Sequence, residues 1–133
     1  MLTKLHHRHG GFTLVEIMIV VAIIALLAAI AVPNFLRARK RSQATRILQD
    51  LRMIDAAIDQ YAIETNKASG ATVEWTDVKA YLKIGSTLYD SGGADMLNNS
   101  FGTFSVDGIP KVPTASFANL SDVAPAEFWS PFK

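Results

Sequence analysis

Cysteine is absent from the 133 residues. That excludes a disulfide, a thiol nucleophile and any metal site built on thiolates. It does not fix the compartment, because an exported protein need not use disulfides. Histidine is confined to the first eleven residues, as His6, His7 and His9. If that basic leader is removed, no imidazole remains for general acid–base catalysis or metal ligation. Lys4 and Arg8 go with it, so Lys+Arg falls from 13 to 11 against 12 acids and the formal charge moves from +1 to −1. The chain also lacks an internal repeat, a phosphate-binding glycine loop and a pair of acids at a recognisable catalytic spacing. Ser–Lys nucleophilic chemistry is the one catalytic option these absences leave open. The reading is therefore of a protein that is not an enzyme and carries no cofactor or metal.

Apolar residues are abundant, at 50 % of the chain, and unevenly spread. Between residues 12 and 32 only Thr13 and Glu16 are polar, and no Gly or Pro interrupts. As a helix rising ~1.5 Å per residue, this stretch spans roughly 30 Å, the thickness of a bilayer's hydrocarbon core. The remainder reads as ordinary soluble protein, enough for one small domain.

Three readings of the apolar stretch compete. One is a secretory signal: residues 1–8 form its basic region, residues 17–28 its apolar core, and Ala29-Ile30-Ala31 its cleavage site. It would release a soluble binding protein starting at Val32. Glu16 has no purpose in a segment that is discarded. The second is a plain membrane anchor, to which Glu16 adds only cost. A charge at mid-membrane costs about 2.5–3.5 kcal/mol on the insertion scale, and less near the end of the segment.

The third reading gives Glu16 a use. "GFTLVE" (residues 11–16), after a short basic leader and at the head of an apolar run, resembles the processing motif of type IV pilins and type II secretion pseudopilins. The likeness extends through "FTLVEIMIVVAIIALLAAIAVPNF", roughly a fifth of the chain. The resemblance implies cleavage by the prepilin peptidase between Gly11 and Phe12, and N-methylation of Phe12. It implies a precursor that crosses the bacterial inner membrane once, with the leader in the cytoplasm. An assembly platform in that membrane then builds the subunits into a homo-oligomeric helical filament, periplasmic or extracellular. Glu16 becomes the fifth residue of the mature chain, where that family places a glutamate that pairs with a neighbouring subunit's N-terminal amine. Physically, the pair attracts strongly where water is scarce, and an unpaired carboxylate in lipid is costly. The competing local role is a cap on its own helix, near the positive end of the helix dipole. Many pilins carry a glycine where this chain has Ala25, so local melting of this stretch is expected to be weaker here.

The flanking charge points the other way. Arg37, Arg39, Lys40 and Arg41 outnumber the leader's Lys4 and Arg8, and a count of Lys and Arg would place the C-terminal body in the cytoplasm. The processing motif requires the opposite, and the reading follows the motif.

Pro33 marks the end of the apolar run, as a kink or a stop. Yet periodicity resumes at once: Ile47, Leu51, Ile54, Ile58 and Tyr61 recur at helical spacing, against Arg46, Gln49, Arg52, Asp59 and Gln60 on the other face. The pattern predicts a near-continuous helix from Phe12 to about Glu64, approaching ~80 Å at ~1.5 Å per residue. "RARKR" (residues 37–41) could hold phosphate. A basic run beside a membrane is better read as a flank for acidic lipid or neighbouring subunits. No aromatic residues interleave it, so nucleic acid is not expected as a partner.

The breaker run at residues 66–72 should end the helix. Beyond it the chain predicts a short helix capped by Thr76 and stopped at Gly85, with Val78, Tyr81 and Leu82 on its apolar face. Phe104 and Val106 begin a strand, Asp107-Gly108 suits a hairpin turn, and residues 109–112 could return as an edge strand limited by Pro110 and Pro113. Phe128, Trp129 and Phe132 should dock on the body or on a neighbour. Asp90, Asp95, Asn98 and Asn99 offer oxygen ligands for calcium, but their spacing fits no defined loop, and they are read as solvated turn residues. The fold class is α+β. The organisation is a removable leader (1–11), a membrane and assembly helix (12–33), its amphipathic continuation (34–65) and a small body (66–133).

Overall fold

Thr13 starts the main helix. In the computed structural model, which describes residues 10–133, its carbonyl accepts from the Ile17 N–H at 3.3 Å. Helix α1 then runs over Leu14–Thr65. The start lies beyond the expected Phe12 because Thr13 takes the N-cap position. At the other end Asn66 adopts a left-handed φ of 50°, and the Lys67 N–H donates to the Ala62 carbonyl at 3.3 Å. This is a Schellman closure with asparagine where glycine is usual. Pro33 lies inside α1. It has no N–H, so the Ala29 carbonyl lacks its usual donor one turn on.

The chain divides into two units, Met1–Leu36 and Arg37–Lys133. In the first, every described residue is exposed. The stretch is long and apolar enough to cross a membrane, and none of its apolar surface is covered.

In the second unit, one face of α1 forms the spine of the core. Ile47, Leu51, Ile54 and Ile58 are each at most 1 % exposed, at the spacing the sequence predicts. Against them pack Val73, Val78, Leu88, Leu120 and Trp129. The sheet is minimal: β1 (Thr72–Val73) pairs antiparallel with β2 (Phe104–Ser105), Val73 opposite Phe104. Four short helices complete the body: α2 (Trp75–Lys79), α3 (Thr87–Asp90), α4 (Thr114–Leu120) and α5 (Ala126–Trp129). A long helix with a small body of short helices and a two-stranded sheet is the expected α+β class.

Two local expectations are corrected. Glu74, not Thr76, is the N-cap of α2, and its N–H donates to the Asp77 carboxylate at 3.0 Å. The helix ends at Lys79, with Tyr81 and Leu82 in tight turns beyond it, well before Gly85. The second correction concerns the hairpin. The Asp107-Gly108 turn forms, closed by Gly108 N–H to the Ser105 carbonyl at 3.0 Å, but residues 109–112 do not return as a strand. Pro110 and Pro113 have no N–H, and the Val112 N–H is taken by the Phe132 carbonyl at 2.7 Å. The strand partner comes instead from before α2, where Val106 and Ala71 bond at 2.9 Å. Gly93 is needed at its place. Its φ is +89°, and a Cβ there would meet the Trp75 ring at 3.0 Å.

The aromatic tail docks on the body. Trp129 is fully buried and Phe132 nearly so. The Trp129 indole N–H donates to the Ala124 carbonyl at 3.0 Å, and Phe128 meets the Trp129 ring edge-on at 5.2 Å.

Candidate functional site

The proposed processing residues lie just outside α1. Gly11 has open space around it, and Phe12 is 85 % exposed. Glu16 sits in the first turn. Its carboxylate accepts from the Thr13 N–H through Oε2 at 3.3 Å, while its own N–H donates to Thr13 Oγ1 at 3.2 Å. This reciprocal pair is a capping box, which satisfies two of the helix's orphan donors. The local capping role set against the pairing role in the sequence is therefore present, and the Thr-x-x-Glu spacing gives it the form of a reciprocal box with Thr13. The box engages one carboxylate oxygen, so the carboxylate retains capacity for a further donor. Phe12 lies two residues before the first residue of α1 and Glu16 in its first turn, so the acid stands close along the chain to the proposed new terminus. Pro33 lies farther along the same exposed helix.

The basic run at residues 37–41 is largely occupied by its own body. The Lys40 ammonium meets the Asp122 carboxylate at 3.0 Å, and its hydrogen bond holds that carboxyl below the usual range. The Arg41 guanidinium lies over the Phe128 ring, 5.9 Å from its centre. Arg37 and Arg41 line one groove with Asp122.

Of the four oxygen-bearing residues, Asp95 is not solvated as expected. Asp95 is 5 % exposed. One of its oxygens accepts from the Leu97 and Asn99 N–H groups at 2.9 and 3.0 Å, and the other accepts from the Ser116 hydroxyl. Asn99 donates to the same hydroxyl at 2.8 Å. Asp95 therefore braces the loop onto α4, a role its neighbours in sequence did not signal. Asp90, the last residue of α3, and Asn98, in a bend, are exposed. Among the described residues no group of three His, Cys, Asp or Glu side chains could hold a metal.

A second buried acid went unforeseen. Asp50 is 4 % exposed on the core face of α1, at the wall of a cavity of about 200 Å³ with Thr87, Ser91 and Asp95. Arg46 Nε lies 3.4 Å from its Oδ1, close enough for an ion pair but without hydrogen-bond alignment. Burial raises the Asp50 carboxyl above its ordinary value of 3.8; Arg46 opposes the rise and Asp95 adds to it. The folded chain thus holds this proton more tightly than the unfolded chain. Asp50's contribution to stability is fully present below 3.8 and is lost as pH rises through the folded value. Thermal melts of Asp50→Asn should accordingly depend less on pH, as it rises above 3.8, than those of wild type. Parallel profiles would contradict this.

Comparison with known proteins gives these features a context. Residues 6–32 match the family model of the prokaryotic N-terminal methylation motif. Type IV major fimbrial protein FimA of Dichelobacter nodosus is 42 % identical over 66 residues, 50 % of this chain and 41 % of that protein. Type IV major pilin protein PilA of Myxococcus xanthus is 40 % identical over 67 residues, 50 % of this chain and 30 % of its own length. The type II secretion system core protein G of Pectobacterium carotovorum is 33 % identical over 61 residues, 46 % of this chain and 39 % of its own. The matches thus span less than half the length of these three relatives. No solved structure matches. The chain carries the prokaryotic N-terminal methylation motif at the head of an exposed apolar helix, and over 46–50 % of its length in these three matches it is similar to type IV major pilins and to the type II secretion core protein G.

Proposed function

We propose that this chain is the structural subunit of a type IV filament, either a type IV pilus or a type II secretion pseudopilus. The observation that carries the reading is the methylation motif over residues 6–32, set on an apolar helix segment with no cover of its own. The leader, residues 1–11, is cut by a prepilin peptidase after Gly11, and the new amine of Phe12 is methylated. Residues 12–33 hold the precursor in the bacterial inner membrane as a single pass. They then pack against other copies when an inner-membrane assembly platform extracts the subunit. Residues 34–65 continue the helix with Pro33 as its point of flexure, and residues 66–133 form the body. The filament stands in the periplasm or outside the cell.

Glu16 supplies register. An amine at Phe12 of an incoming subunit meets the Glu16 carboxylate of one already assembled, and each cancels the other's cost in a medium of low dielectric. The capping box on Oε2 is compatible with this. Release as a soluble binding protein by ordinary cleavage near Ala31 is the disfavoured alternative, since it leaves both Glu16 and the methylation motif without a role. N-terminal sequencing of the protein from its native host tests the proposal. A methylated Phe12 is expected; a terminus at Val32 would establish the secreted product, and an intact Met1 a bare anchor.

A further inference from the structure

In the run at residues 37–41, Arg39 is a cation for which the body supplies no partner among the described residues. Lys40 is paired with Asp122, Arg41 lies over Phe128, and Arg37 lines the Asp122 groove. Arg39 is exposed, and no ion pair or hydrogen bond engages it among the described residues. Farther along α1, Asp55 and Asp59 present the opposite problem. Two like charges four residues apart repel on a helix. Asp55 is half-buried and Asp59 exposed, and the Asp55 carboxyl is raised by burial and by Asp59. No ion pair within 4.0 Å answers either acid among the described residues, Arg52 included.

The placement of these charges is complementary. At 3.6 residues per turn, Asp55 and Asp59 lie roughly 160° and 200° around the helix from Arg39, so they straddle the flank opposite to it. Their midpoint is five turns further on, ~27 Å along the axis. Complementary patches on opposite flanks, offset along the axis, cannot close a two-fold dimer; they propagate head to tail, as an open polymer requires. An anionic bilayer would answer Arg39 but repel the acids. A partner bearing both signs at this offset answers both, and a parallel copy of the same helix has them.

We infer that α1 carries a self-complementary lateral interface for a second copy of this chain, with Arg39 of one subunit seated between Asp55 and Asp59 of a neighbour displaced by ~27 Å along the helix axis. This rests on the filament reading above. The Phe12–Glu16 contact joins copies offset by no more than four residues of chain, at most ~14 Å even if extended, so the two contacts belong to different neighbours of the same subunit.

The absence of cysteine makes the test clean. Filaments of an Arg39→Cys, Asp59→Cys chain, treated with a short bismaleimide, should give a ladder of dimers, trimers and higher multimers, while either single variant gives none. Independently, Arg39→Asp should lower filament yield about tenfold or more, because it brings three acids together. Asp55→Arg with Asp59→Arg should do the same, and the combined triple variant should restore yield. Filaments that form normally in every variant without a ladder would overturn the interface while leaving the filament reading intact. Normal assembly of Arg39→Asp with weaker retention on anionic vesicles would assign Arg39 to lipid and also overturn it. Wild-type protein that never forms filaments would overturn both readings.

Discussion

Replacing Glu16 by Gln should leave processing after Gly11 intact and abolish filament formation. Gln at the third helical position keeps the capping box with Thr13, so the local structure of the helix start survives. What is lost is the charge, and with it the partner of an incoming amine. Removing one member of a buried ion pair costs about 3–5 kcal/mol, because the remaining charge is stranded. At about 1.4 kcal/mol per tenfold, that is roughly a hundred-fold to several-thousand-fold loss in the equilibrium for adding a subunit. Glu16→Ala should behave alike, with an added capping loss of about 0.5–2 kcal/mol. Thr13→Ala is the control: it breaks the Oγ1 half of the box and keeps the acid, so filaments should still form. Filament yield by shearing and sedimentation, with precursor and mature forms resolved on gels, reads all three. Normal yield from Glu16→Gln would mean that capping, not pairing, is the role of this side chain.

The second large effect is expected at Trp129, far along the chain from the processing site. Its ring is fully buried and its indole N–H satisfies the Ala124 carbonyl. Trp129→Ala removes the largest side chain of the core and leaves that carbonyl without its donor. The cost should be about 3–5 kcal/mol, against a total stability of about 5–15 kcal/mol for a domain. For a unit of this size each kcal/mol shifts the melting temperature by about 4–8 °C, so a fall of more than ~12 °C is expected. A fall of only a few degrees would show that the tail contributes little to the core. Polymerisation should fail in parallel with folding here, whereas Glu16→Gln should leave the melting of the body unchanged.

The contrast between these two sites also explains what the sequence disclosed. The helix over Leu14–Thr65 was legible because its apolar residues recur at helical spacing through residues 47–61, and because Asn66 and its neighbours break the pattern. Glu16 was conspicuous because a lone acid in an apolar run has no inexpensive explanation. The body was harder. The turn at Asp107-Gly108 carried a true local signal, but which strand it served depended on Ala71 and Val106 meeting across a long loop, and local spacing contains no such information. Asp95 and Asp50 illustrate the same limit. Nothing near them in sequence marks them as buried: Asp95 is covered by Ser116 of α4, and Asp50, although its partner Arg46 is one turn away on the same helix, is buried by how the body packs on α1. The basic run was read as one flank, whereas folding divides it between the body and the surface and leaves Arg39 exposed, with no ion pair among the described residues.

The charge pair is the claim on which the rest depends, and a structure of the assembled filament addresses it without intermediaries. The distance from each Glu16 carboxylate to the nearest Phe12 amine of another subunit should fall within about 4 Å, the range of an ion pair. Carboxylates that face lipid or water, with every neighbouring amine well beyond that distance, would contradict the account.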